Sequence, residues 1–282
     1  MKYLKTLLMI LFLILIISCS QNSTETNHRE KEASEQILSR IIKKIEKKEA
    51  LEIVKLSLKA KGIDKLDRFK DLTIYYYREI PKSPDGSKKI NLTLFYKFPD
   101  KIRMDTEVYF VAKNTKALVS EVYDGVSSWM SENNIIKDVS EGKEKELKGL
   151  ASISSLKGPL YLLSIGEYEF DEAYEEKNEG RYYVIKMHSK GGEKRNFNIY
   201  IDTNSYLPII EEVAVPKLMG FTEVRLKNYI LNYINLEGFM LQGKTKRSSS
   251  IGPFKEEMET IVIKVEVNTN LSDSLFQKPK SK

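Results

Sequence analysis

Beyond Gly62, apolar and polar residues alternate with a period of two over much of the chain. The clearest stretch runs from Ile90 to Phe98, where Ile, Leu, Leu, Tyr and Phe occupy every second position. Successive side chains of a strand point to opposite faces, so this stretch predicts a strand with one apolar and one wetter face. The chain is therefore expected to be built mainly from strands.

Nine further stretches have the alternation or the β-branched and aromatic content of strands. Segments rich in turn residues separate several of them, which favours hairpins and a mostly antiparallel sheet. The stretches are Leu72 to Tyr77, Ile102 to Phe110, Leu118 to Tyr123, Tyr182 to His188, Phe197 to Ile201, Leu207 to Val215, Phe221 to Tyr233, Phe239 to Thr245 and Ile261 to Val267.

Helical spacing occurs in two places. From Glu35 to Lys61 it predicts one long helix, or two that meet near residues 47–50, ending at Gly62. From Glu141 to Leu163 it predicts an internal helix, interrupted where Gly158 precedes Pro159. The expected fold is α+β and mostly β, a large curved antiparallel sheet with helices over one face.

The N-terminus has the features of an export signal. Lys2 and Lys5 precede an apolar run from Leu7 to Ile17 that is shorter than the roughly 20 residues needed to span a bilayer. The run ends at Ser18-Cys19, which matches a lipobox, so residues 1–18 are predicted to be a lipoprotein signal peptide and Cys19 the lipidated N-terminus. The alternative is an ordinary secretory signal with an incidental cysteine.

Cys19 is the only cysteine in the chain, so it has no intramolecular disulfide partner. The polar residues 19–33 are predicted to be a flexible tether, and residues 34–282 a single domain. Ser20, where an inner-membrane retention signal usually has Asp, favours an anchor on the periplasmic face of the outer membrane. The membrane is thus the first expected partner, reached through the N-terminal lipid.

Composition excludes several classes of function. The formal charge is +6 with both signs interspersed, so nucleic acid is not an expected partner. His28 and His188 are the only histidines, too few for the usual zinc site, and no nucleotide motif or G-x-S-x-G elbow occurs. We expect no catalytic residues, no metal and no cofactor.

Two clusters leave an alternative open. Carboxylates between Glu167 and Glu176, with or without His188, would suit a hydrolase acting on envelope polymers, but a solvated strand edge or turn is the simpler interpretation. Residues 244–250, Lys-Thr-Lys-Arg followed by three serines, are interpreted as a hairpin tip, with binding of phosphate or a lipid head group as the alternative.

Several short motifs, in order, resemble the bacterial outer-membrane lipoprotein-sorting family (LolA/LolB-like) over about residues 50–279. Where the soluble chaperone of that family has an arginine before the proline of the second motif, this chain has Phe98. The motifs are residues 50–66, Phe98-Pro99-Asp100 to Arg103, Asp124-Gly125 with Trp129, Tyr200-Ile201-Asp202 with Leu207-Pro208, Glu237-Gly238, and Val267-Asn268 with Leu275 to Pro279.

This resemblance implies an incomplete β-barrel whose concave face is covered by helices, with a hydrophobic cavity for acyl chains between them. The expected function is an anchored, non-enzymatic carrier or receptor for acyl lipid or lipoprotein cargo. The alternative is a non-catalytic sensor or scaffold that binds another envelope protein, with a closed core in place of the cavity. The expected cavity residues are Leu92, Leu94, Tyr96, Phe98, Ile102, Met104, Leu150 and Ile153.

Overall fold

A computed structural model describes residues 42–81, 86–152, 154–177, 180–190, 195–216, 223–251 and 254–279. The predicted signal peptide, Cys19 and the tether lie outside these residues. The strands are β1 Ile42–Ile45, β2 Asp71–Ile80, β3 Lys88–Lys97, β4 Lys101–Phe110, β5 Thr115–Tyr123, β6 Ser128–Glu132, β7 Ile135–Asp138, β8 Tyr168–Lys177, β9 Arg181–Ser189, β10 Asn196–Asp202, β11 Pro208–Pro216, β12 Glu223–Leu236, β13 Phe239–Ile251 and β14 Phe254–Val267.

The strands form one antiparallel sheet in the order β1-β8-β9-β10-β11-β12-β13-β14-β2-β3-β4-β5-β6-β7. Most neighbours are consecutive hairpins, whereas β14 pairs with β2 and β1 pairs with β8. Among the described residues β1 and β7 are the two edges, so the sheet stays open. The predicted large antiparallel sheet is confirmed.

The helices are α1 Lys47–Lys61, α2 Glu141–Ala151, α3 Ser154–Lys157 and α4 Pro159–Ser164. One face of α1 is buried, through Ala50, Ile53 and Val54, at the spacing that predicted it. The predicted stop is confirmed: Gly62 caps α1 with φ of 68°, and a Cβ there would lie 1.9 Å from the Gly238 carbonyl oxygen. The break before Pro159, the first residue of α4, is confirmed too.

Two predictions are wrong. Residues 42–45 form strand β1 instead of helix, because they pair with residues 173–176 of β8, and this pairing overrides local helical spacing. Residues 35–41 of the same predicted helix lie outside the described residues. Residues 244–250 lie within β13 rather than at a hairpin tip, since β12 and β14 hydrogen-bond to them on both sides.

Helices α1 to α4 lie over the same face of the sheet, which we call the concave face. Two apolar clusters fill the interface. One joins α2 to β2–β5, β13 and β14; the other joins α1 and α4 to β1 and β8–β10. Leu58 of α1 contacts both clusters, so α1 holds the two halves of the sheet together.

The C-terminal segment, residues 268–279, covers part of the opposite, convex face. Phe276 is fully buried there against Val122 and Trp129, and the Trp129 indole N–H donates to the Phe276 carbonyl at 3.1 Å. At the start of the segment, the buried Asp71 carboxylate accepts from the backbone N–H groups of residues 269–271. The C-terminal segment thus covers part of the convex face, and the helices cover the concave face.

Candidate functional site

A cavity of about 270 Å³ lies between the concave face and the helices. Strands β2, β3 and β11–β14 form its floor, and the segment joining α3 to α4 forms its roof. Its residues include an apolar group, Tyr76, Leu94, Leu156, Phe239 and Leu241, and a polar group, Lys61, Arg78, Glu211, Asn228, Gln242, Thr245, Arg247 and Thr260.

The sequence-predicted cavity residues lie mostly in the packed cluster beside this cavity. Leu94 lines the cavity itself. Leu92, Tyr96 and Ile102 are buried, and the Tyr96 ring stacks on that of Phe98 with centroids 5.9 Å apart. Phe98, Met104 and Leu150 are half-buried and pack against the same cluster, while Ile153 lies outside the described residues. Six of the eight are thus brought to one apolar cluster, and Leu92 is buried outside it. Contact of these residues with a ligand remains a prediction.

The polar end of the cavity contains two arginines. Arg78 follows Leu72, Ile74 and Tyr76 at every second position of β2, so it shares their concave face. Its pKa is lowered by burial and, secondarily, by the positive charge of Arg247. Burial raises the pKa of the Tyr76 hydroxyl to about 12, and the positive charge of Arg78 opposes that shift.

Lys61 is a buried cation at the C-terminal end of α1. Its ammonium group donates to the carbonyl oxygens of Leu156 and Lys157, each at 3.1 Å. Burial lowers the pKa of Lys61, and the Glu211 carboxylate opposes that shift. Glu211 also accepts from the Gln242 amide at 3.1 Å. Lys61 therefore ties the roof of the cavity to α1.

Sequence analysis missed Lys61, Arg78 and Glu211 as site residues. The signal for Arg78 was present, because an arginine continues an otherwise apolar face of a strand. Lys61 and Glu211 gave no such signal, since each reaches the cavity only through the packing of α1 and β11 against distant strands.

The other sequence candidates lie elsewhere. His188 of β9 contacts Asp171 at 2.7 Å and Glu169 at 3.3 Å of neighbouring β8, away from the cavity. Cys19 is outside the described residues. Within the ranges that the structure describes, no cluster of metal-binding side chains occurs, and no helix has the length and apolar character needed to cross a bilayer.

Two further depressions lie outside the concave face. A groove of about 700 Å³ runs beside Lys70, Phe98 and the C-terminal segment, and one of about 490 Å³ lies on the convex face of β10–β13. Neither lies between sheet and helices, and the buried Asp71 carboxylate beside the first is already held by hydrogen bonds from residues 269–271. The 270 Å³ cavity is the better candidate because it lies between sheet and helices and combines apolar side chains with the buried Lys61 and the half-buried Arg78.

Solved structures share this architecture. A DUF1329 family protein from Desulfovibrio piger aligns with a TM-score of 0.52 at 12% identity, covering 79% of this chain and 97% of that one. A LolA superfamily protein from Nitrosomonas europaea aligns with a TM-score of 0.50 at 12% identity, covering 78% and 98%. The chain has the LolA-like fold.

The likeness to these structures is one of architecture and not of sequence, since the identities are 12%. A putative outer membrane lipoprotein-sorting protein domain from Vibrio parahaemolyticus aligns with a TM-score of 0.49 at 13% identity, covering 79% of this chain and 95% of that one. Neither protein-family models nor curated proteins give a match to the sequence. The LolA-like sheet and its covering helices thus confirm the resemblance inferred from short motifs.

Proposed function

We propose that this chain is an envelope lipoprotein that binds the acyl chains of lipids or lipoproteins between its concave sheet and its helices, as a non-enzymatic carrier or receptor in outer-membrane lipoprotein sorting. The observation that carries this proposal is the cavity under the α3–α4 segment, which is continuous with an apolar cluster of sheet and helix residues. Its LolA-like fold supports the same assignment.

The mechanism is hydrophobic capture. Burial of acyl surface contributes about 25 cal/mol per Å², so a chain enters when the cavity offers as much apolar contact as the membrane. At about 270 Å³ the cavity is smaller than the roughly 300 to 1,000 Å³ of typical ligand sites. A whole acyl chain therefore requires α2 and α3 to move away from the sheet, exposing the apolar cluster beside Leu94.

Photo-crosslinking tests this capture. A photoreactive phenylalanine analogue replaces Leu94, on the concave face, or Thr93, its neighbour on the convex face of β3, in full chains expressed in bacteria fed an alkyne-tagged fatty acid. Acylation of Cys19 would tag the chain itself, so crosslinked products are identified by the mass that the lipid or lipoprotein adds. We expect tagged acyl lipid or lipoprotein to crosslink at position 94 and not at position 93. Equal crosslinking at the two positions, or none, contradicts the carrier; crosslinks only to untagged envelope proteins favour the anchored scaffold instead.

The same proposal includes an anchor at Cys19 in the outer membrane, facing the periplasm. Two or more acyl chains give stable attachment, which a single chain does not. A Cys19→Ala chain is expected to lose fatty-acid incorporation and to leave the membrane fraction, whereas Ser18→Ala is expected to keep both properties. Membrane attachment that survives Cys19→Ala would contradict the lipid anchor.

A further inference from the structure

Arg78 and Arg247 approach the cavity from two strands that flank β14. Across the sheet, Arg78 pairs with Thr260, Thr260 pairs with Thr245, and Arg247 pairs with Asn228. All five side chains line the same cavity. Two guanidinium groups therefore lie beside hydroxyl and amide groups on one patch of the concave face.

The charges around this patch are unbalanced. Of the described residues that line the cavity, Lys61, Arg78 and Arg247 are cationic, and Glu211 is the single carboxylate. Glu211 is engaged by Gln242 and by the charge of Lys61. Within the described part of the chain, the half-buried Arg78 makes no ion pair, and its Nε–H is buried without a hydrogen-bond partner.

Burial of an unpaired cation costs free energy, and a second cation nearby adds repulsion. The pKa of Arg78 is lowered for both reasons. An anion between the guanidinium groups removes both penalties at once. Phosphate is the best match, because its several oxygens accept the forked N–H groups of arginine and leave others for neighbouring hydroxyl groups such as those of Thr245 and Thr260.

Away from the two arginines the wall of the cavity is mostly apolar. Leu94, Leu156 and Phe239 line it together with Leu241 and the ring of Tyr76. The Lys61 ammonium group also lies here, 6.0 Å from the centroid of the Phe239 ring, but its hydrogen bonds go to the carbonyl oxygens of Leu156 and Lys157. A ligand that fills the whole cavity therefore has a charged end and a hydrocarbon end.

We propose that the cavity binds a phosphate-bearing amphiphile, with its phosphate between Arg78 and Arg247 and its acyl chain extending toward Tyr76, Leu94 and Leu156. This inference rests on the proposed acyl-binding function and deepens it by naming the head group. It also gives a role to the basic residues of β13, where Arg247 faces the cavity and its neighbour Lys246 pairs with Glu257.

Native mass spectrometry of the full chain, purified in non-ionic detergent, tests the head group. The ligands are oleoyl glycerol phosphate, its neutral counterpart mono-oleoyl glycerol, and inorganic phosphate. We expect the phosphate amphiphile to bind about 10-fold more tightly than the neutral one, given the strength of charge-assisted hydrogen bonds. Arg78→Gln and Arg247→Gln should each remove most of that preference.

Lys246→Gln is the matched control, because it removes one positive charge from the same strand on the convex face. It should leave the preference unchanged. Equal binding of both amphiphiles, unaffected by the arginine variants, would overturn the phosphate site while leaving acyl binding intact. Binding of inorganic phosphate as tight as that of the amphiphile, without binding of mono-oleoyl glycerol, would keep the site and overturn acyl capture; binding of none of the three would overturn both.

Discussion

The Asp71 carboxylate accepts two hydrogen bonds from Thr269, one from its backbone N–H at 2.7 Å and one from its hydroxyl at 3.0 Å. It also accepts from the backbone N–H groups of Asn270 at 2.9 Å and Leu271 at 3.4 Å. Asp71 begins β2, while Thr269 follows β14, so one buried side chain fixes the start of the C-terminal segment to the central strand pair.

Asp71→Ala should therefore loosen the C-terminal segment. Removal of the Asp71 carboxylate leaves the part-buried backbone N–H groups of residues 269–271 without an acceptor. We therefore expect the free energy of unfolding to fall by about 3 kcal/mol. Urea unfolding measures the loss, and hydrogen exchange should quicken at residues 269–271. Asp71→Asn keeps one acceptor oxygen and should cost about half as much; an unchanged midpoint for Asp71→Ala would contradict the clamp.

Gly62 and Gly149 make a matched pair for the same substitution. At Gly62 an added Cβ meets the Gly238 carbonyl and φ is 68°, so Gly62→Ala should destabilise the protein by at least about 2 kcal/mol. Gly149 lies in α2 with nothing within 4 Å of an added Cβ, so Gly149→Ala should stabilise it by about 0.5 to 1 kcal/mol. Thermal unfolding should show a lower midpoint temperature for Gly62→Ala and a higher one for Gly149→Ala. A Gly62→Ala chain that is more stable than the parent would rule out the close approach of α1 to the β12–β13 turn.

Tyr76 predicts a loss of stability at alkaline pH. Its pKa in the folded protein is raised by burial to about 12 from 10.0, so the unfolded chain loses this proton first. The stabilising contribution is complete below pH 10 and is lost as the pH rises toward 12, an effect of about 2 to 3 kcal/mol. Tyr76→Phe should flatten the pH dependence of the urea midpoint between pH 9 and 12; parallel curves for both proteins would show that the hydroxyl is not buried.

The strands were predictable because alternation records which face of a strand is buried. The described parts of all ten predicted stretches lie mainly in strands β2–β5 and β9–β14, although their bounds shift by several residues. Phe221 and Thr222 lie outside the described residues. Strands β6 and β7 were not predicted because they are short. Strand β8 was not predicted because its many carboxylates obscure the alternation of apolar and polar residues; one of them, Glu172, pairs with Lys186 at the outer face. The helix predicted from Glu35 is wrong at residues 42–45, because pairing with β8 makes these residues a strand.

The candidate site was only partly predictable. Its apolar side, which includes Leu94 of β3 and Phe239 and Leu241 of β13, comes from strands whose pattern is readable alone. Its charged side does not, because Arg78 and Arg247 meet only when β2 pairs with β14 and β14 with β13. A sequence gives the composition of each strand, whereas the neighbours of a charged side chain depend on the order of strands in the sheet.

That β14–β2 pair also imposes an order of events on folding. Strands β2–β7 and β8–β13 are each connected mainly to their sequence neighbours, and β14, near the end of the chain, is what joins β2 to β13. Until β14 has been synthesised, the edges of β2 and β13 lack their final partner, and exposed edges of this kind invite pairing with other chains. A chain that stops short of residue 254 lacks β14, so we expect its two groups of strands, β2–β7 and β8–β13, to remain unpaired with each other and the chain to aggregate.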